Sequence, residues 1–193
     1  MKKLCCLILA VMTAASCAVL VSCGDSADTD AAGLVAEKVL ADIPADVLLD
    51  AAVAAYSADE LPNVKYYRSS VTDEDAEGYL DPDFAGQFFL NDFGADIPVF
   101  KNLSEYAMCV PQSKKAFEMI VFKLGDESDK EEAKKLLETR FSLKDSGDFG
   151  TYVPEEEEML KNMQIIEKGK YLFMLCTTDN SKAIAAFESL LNG

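Results

Sequence analysis

Residues 115–137 read KAFEMIVFKLGDESDKEEAKKLL, and residues 170–191 read KYLFMLCTTDNSKAIAAFESLL. Each begins with an apolar, β-rich run: Phe117, Ile120, Val121 and Phe122 in one, Tyr171 to Thr177 in the other. Each is then broken, by Gly125-Asp126 or by Asp179-Asn180, and each closes in an amphipathic helix pattern ending Leu-Leu. Ser128 followed three residues later by Glu131 has the form of a capping box opening the first helix. Ile184, Phe187, Leu190 and Leu191 form the apolar stripe of the second. Each strand has an upstream apolar partner. Tyr106 to Val110, closed by Pro111, precedes the first, and Met163 to Glu167, joined through Lys168-Gly169-Lys170, precedes the second. The pattern is ββα, twice. Its simplest burial is an α+β two-layer sandwich, an antiparallel sheet of about four strands with the helices on one face, preceded by N-terminal helices. Residues 80–193 are therefore expected to fold without residues 1–79.

Upstream, Asp81-Pro82 marks a helix start, with Asp81 as N-cap and Pro at the first helical position, running to Asn91 and stopping by Gly94. Phe84, Phe88, Phe89 and Phe93 sit at helical spacings and read as core packing rather than as a ligand groove. Pro154 and the glutamates after it open a short helix, where the carboxylates suit the positive end of the helix dipole. Val64 to Val71 reads as a short strand, Ala31 to Ala41 as a helix, and Ala45 to Ala55 as an apolar segment of either type. Residues 31–79 together form an N-terminal helical or extended segment.

The N-terminus carries an address. Lys2 and Lys3 precede an uncharged apolar stretch from Leu4 to Val21, and Leu20-Val21-Ser22-Cys23 follows the lipoprotein signal pattern. Residues 1–22 read as a signal peptide and Cys23 as the lipidated residue. The anchor would be a diacylglycerol with a further acyl chain such as palmitate, more than one chain being needed for stable attachment. Residues 23–30 read as an acidic tether. The partners this implies are the membrane, through that anchor, and an extracytoplasmic protein or small ligand. The localisation is the cell membrane, on its extracytoplasmic face.

Charge and composition narrow the function. The 193 residues hold 18 Lys+Arg against 34 Asp+Glu, a net charge of −16, and no His. Nucleic-acid binding through a basic surface is excluded, and so are His-based catalytic relays and imidazole metal sites. Asp73, Asp75 and Glu77 occupy positions 1, 3 and 5 of a calcium-loop pattern with Gly78 at 6. The bidentate twelfth ligand is replaced by Phe84, which favours a solvated acidic loop. Cys109 and Cys176 lie in apolar strand-like runs, as buried thiols or as a disulfide pair. Ser113-Lys114 and Ser181-Lys182 lack the helical spacing of a Ser-Lys catalyst. The leading expectation is a non-catalytic surface lipoprotein acting as a binding or interaction module, with no cofactor. The alternatives are a carboxylate- or Ser-dependent hydrolase and a calcium-stabilised structural module.

Several of these segments, in this order, resemble a known family. They are Leu103-Ser104-Glu105-Tyr106, the strand Phe117 to Phe122, Tyr152-Val153-Pro154-Glu155, the hairpin from Lys168 to Asp179 and the closing helix Ala183 to Leu190. Over residues 80–192 the chain is similar to small lipoproteins of Gram-positive, chiefly clostridial, bacteria catalogued as a domain of unknown function. The resemblance implies a cell-surface lipoprotein and brings no functional residues with it.

Overall fold

The computed structural model describes residues 39–146 and 156–193. The expected signal peptide, Cys23, the expected tether and the expected Pro154 helix start lie outside them, as does the expected 31–41 helix apart from its last three residues, which are not helical. Lys38–Gly193 forms one compact unit.

Five strands form one antiparallel sheet in the order β1-β2-β3-β5-β4: β1 (Val64–Arg68), β2 (Leu103–Pro111), β3 (Glu118–Leu124), β4 (Gln164–Lys168) and β5 (Tyr171–Cys176). The helices are α1 (Ala45–Ala54), α2 (Pro82–Leu90), α3 (Val99–Asn102), α4 (Lys130–Asp145), α5 (Glu157–Lys161) and α6 (Asn180–Leu191). The α+β class, the antiparallel sheet and the doubled ββα order β2-β3-α4 and β4-β5-α6 are all present.

Two features of the expected architecture are corrected. The sheet has a fifth strand, and helices cover both of its faces. Met108, Ile120, Phe122, Leu172 and Met174 face a core closed by α2, α3, α4 and α5. Ala107, Met119, Val121, Phe173 and Leu175 face a second core closed by α1 and α6. The reason is the composition of the central strands. Every residue of β3 and of β5 is buried, so both faces of those strands need a cover.

Residues 39–79 belong to this same core. β1 pairs with β2 along its whole length, from Val64↔Pro111 to Arg68↔Ala107. Helix α1 buries Leu48, Leu49 and Ala52 in the second core. Pro44 offers no side-chain cap to α1, so Glu105 of β2 supplies one, its Oε2 accepting from Ala45 N at 2.7 Å. The chain enters along the end of the sheet. Ala41 N donates to Leu191 O at 2.9 Å, and Ile43 N donates to the Tyr171 hydroxyl at 2.8 Å. Asp42 pairs with Lys123 at 2.9 Å and Lys170 at 3.0 Å, and these two cations hold its carboxyl down at about 2.

Helix α2 starts as expected. Asp81 Oδ1 accepts from Phe84 N at 3.0 Å, Pro82 takes the first turn, and Asn91 closes the helix in the left-handed region at φ 55°. Helix α4 starts later than the capping box implies. Asp126, not Ser128, accepts the first N–H, over a 3₁₀ turn at Glu127–Asp129.

Candidate functional site

The structure separates most of the residues that the sequence singles out. Cys109 and Cys176 are free thiols, and the expected alternative of a disulfide is corrected. They lie on β2 and β5 with β3 between, and they face opposite cores, so their Cβ atoms cannot reach bonding range. Burial pushes each thiol up to about 12, which makes both poor nucleophiles. Asp73 and Asp75 form a local turn in which Asp75 N donates to Asp73 Oδ1 at 3.1 Å. Asp73, Asp75 and Glu77 are exposed, and among the described residues no three His, Cys, Asp or Glu side chains converge as a metal site. Ser181 Oγ is spent on Asp179 Oδ1 at the start of α6, while Lys182 reaches Glu60 at 2.6 Å.

Two arrangements were not anticipated. The first is a buried charge cluster on the α4 face of β3. The Glu118 carboxylate is fully buried and takes a bidentate pair from Arg140, Nε to Oε1 at 3.0 Å and Nη2 to Oε2 at 2.6 Å. Lys144 Nζ, also buried, donates to Oε2 at 2.7 Å. Arg140 further donates to Phe88 O at 3.1 Å and lies 3.7 Å from the Phe88 ring centre. Burial works to raise the Glu118 pKa, but Arg140 and Lys144 outweigh it and hold the carboxyl at about 2. Ala133, Leu137, Arg140 and Lys144 follow one another at helical spacing, so the two cations continue the apolar stripe of α4. With Glu118 interrupting an apolar strand, that was the available signal.

The second is a cavity of about 360 Å³ between α2, the 91–98 loop, α3 and β2. Leu80, Ala85, Ala95, Ile97 and Phe100 form apolar walls, with the Tyr106 ring among them. Asp83, Asp96 and Lys101 bring charge to the same lining. Lys101 holds Asp96 at 3.2 Å in an exposed pair. Asp83 and the Tyr106 hydroxyl have no ion-pair or hydrogen-bond partner among the described residues. Burial raises the Tyr106 pKa, so the phenol stays protonated and able to donate.

The loop roofs this space because α2 lets it approach. A Cβ on Gly86 would stand 2.5 Å from Asp92 O, so only glycine lets the loop backbone lie against the helix. Gly94, at φ +75°, turns the loop beside Asp83. Phe93, expected in the core, lies past the end of α2 in this loop and is 74% exposed. Phe89 is fully buried, and Phe84 and Phe88 pack against the first core as expected.

A cleft of about 350 Å³ at the opposite end of the sheet is lined by Glu60, Lys115, Phe117, Glu156 and Thr178, among others. Two of its acids are already paired, Glu156 with Lys115 at 2.8 Å and Glu60 with Lys182 at 2.6 Å, and Asp59 is exposed. The cavity under the 91–98 loop is therefore the better candidate. It joins apolar walls to polar groups that have no partner among the described residues.

No helix among the described residues is long and apolar enough to cross a membrane. No curated protein and no solved structure matches the chain. Residues 101–177, which carry β2 to β5 and the Glu118 cluster, match the family described as Domain of unknown function (DUF4358).

Proposed function

We propose that this protein is a membrane-anchored, extracytoplasmic binding module whose ligand site is the cavity between α2, the 91–98 loop, α3 and β2. The cavity carries the reading. It combines an apolar interior with a phenol and a carboxylate that the fold leaves unpartnered, the usual composition of a small-molecule site. Catalysis is no part of this proposal. The buried acid, Glu118, is tied to two cations, and the buried thiols are held protonated.

The anchor rests on the signal pattern ending at Cys23. Cys23→Ala is expected to remain unprocessed or to leave the membrane fraction, and unchanged detergent-phase partitioning would refute it. The cavity is tested with 3-phenylpropanol, a neutral probe with an apolar body. The chain has no Trp, so Phe93→Trp in the full chain, held in phosphatidylcholine nanodiscs, gives a single reporter in the loop that covers the cavity, next to the lining residue Gly94. A saturable emission shift is expected, to be abolished by Ala95→Phe, which fills the space. A shift that does not saturate, or that survives Ala95→Phe, overturns the assignment.

A further inference from the structure

We propose that the cavity is selective for organic cations, taking an apolar body into its interior and a protonated amine against Asp83; this rests on the cavity being the ligand site. The lining contains two carboxylates and one ammonium group. Lys101 is the only cation, and it is engaged by both oxygens of Asp96, at 3.2 and 3.3 Å. Asp83 has no such partner. Its Oδ1 stands 3.7 Å from the point where a side chain on Gly94 would begin, which places the charge beside the turn of the roof.

The other source of positive potential nearby is the N-terminus of α2, and it is already answered. Asp81 accepts from Phe84 N, and Asp83 itself lies in the first turn. An anionic ligand would meet Asp83 uncompensated. An ammonium group would complete it and could also take a hydrogen bond at the Tyr106 oxygen, a weak acceptor. The net charge of −16 adds a long-range field that draws cations toward the surface and repels anions.

The test uses three probes sharing one apolar body: 3-phenylpropylamine, 3-phenylpropanol and 3-phenylpropionate. Each is titrated calorimetrically into the full chain in phosphatidylcholine nanodiscs, with empty discs subtracted. The amine is expected to bind about tenfold more tightly than the alcohol, or about 1.4 kcal/mol, and the carboxylate more weakly than either. Asp83→Asn, at an exposed position, should remove the amine's advantage over the alcohol. Equal binding of amine and alcohol, or an amine advantage that survives Asp83→Asn, overturns the charge selectivity while the cavity assignment stands. Binding of none of the three overturns the cavity assignment and the selectivity with it.

Discussion

Glu118→Gln removes a fully buried carboxylate that pairs with the buried Lys144 and the partly buried Arg140. The glutamine oxygen can still accept, but its NH₂ is turned toward a guanidinium or an ammonium, and both cations lose this counter-charge. Breaking a buried ion pair by removing one partner costs about 3–5 kcal/mol. The titration of Glu118 leads to a similar figure. Its carboxyl is held at about 2 against an ordinary 4.5, which corresponds to about 3 kcal/mol. Because the folded-state pKa is depressed, this stability is present in full above pH ~4.5 and is lost as pH falls toward ~2. The variant has no carboxyl to protonate, so its stability should change less over that range, and the two proteins should converge in acid. Urea denaturation at about pH 7, 4 and 2.5 reads both effects. With a slope of about 2 kcal/mol per molar, the midpoint at pH 7 should fall by roughly 1.5–2.5 M. Lys144→Met leaves the bidentate Glu118–Arg140 pair in place and should cost less than Glu118→Gln. A midpoint shift under about 0.5 M at pH 7, or a gap between the proteins that does not narrow in acid, would refute the reasoning.

Deleting residues 1–79 should abolish cooperative melting. It strips β1 from β2 and removes Leu48 and Leu49, both fully buried; large-to-small changes at such sites cost about 2–5 kcal/mol each, comparable together with a whole domain's stability. A fragment 80–193 with a sharp thermal transition would count against this. Calcium at about 10 mM should raise the melting temperature no more than NaCl at matched ionic strength, because Asp73, Asp75 and Glu77 do not converge. An extracellular-type site would instead add roughly 1.4–2.7 kcal/mol at that concentration, and a calcium-specific rise lost in Asp73→Asn/Asp75→Asn would show one.

Much of the sheet was legible because its signals are local. The 168–170 turn, the Asp81-Pro82 helix start and the doubled strand-break-helix order each lie within a few consecutive residues, and each is present in the fold. The number of covered faces is also written in the sequence, in the composition of the central strands. Met119 to Phe122 and Tyr171 to Cys176 are unbroken apolar runs, not the alternation of a sheet with one wet face. A strand buried on both sides requires helices on both sides, and the Ala-rich segment 45–55 supplies one of them. The Glu118 cluster was obscure for a different reason. Its pairing joins β3 to α4 across 22 and 26 residues, and the local pattern at either end does not show that the two meet. Phe93 keeps helical spacing in the sequence but lies outside the core, because Asn91 adopts φ 55° and ends the helix at Leu90.

The cavity follows from how unequally the two faces are covered. Over the second core lie α1 and α6, of 10 and 12 residues, each presenting a continuous apolar stripe to the sheet. Over the start of β2 on the other face lie a nine-residue helix and a four-residue helix, α2 and α3, joined by the 91–98 loop. A loop cannot fill the volume that a helix with large side chains would fill. Here the roof is made of Gly94, Ala95 and Asp96, so space remains above Phe100 and Tyr106. The same unequal covering separates the two unanticipated features along the chain. Glu118, Arg140 and Lys144 lie inside the segment that matches the family, and hold its central strand to its longest helix. Most of the cavity wall, from Leu80 to Ile97, lies upstream of that segment. The buried charges thus lie within the matched segment, whereas the binding chemistry proposed here is carried largely by residues that precede it. Changes in α2 and the 91–98 loop, such as Asp83→Asn, should therefore alter ligand selectivity with little effect on the melting of the sheet, and Glu118→Gln should do the reverse.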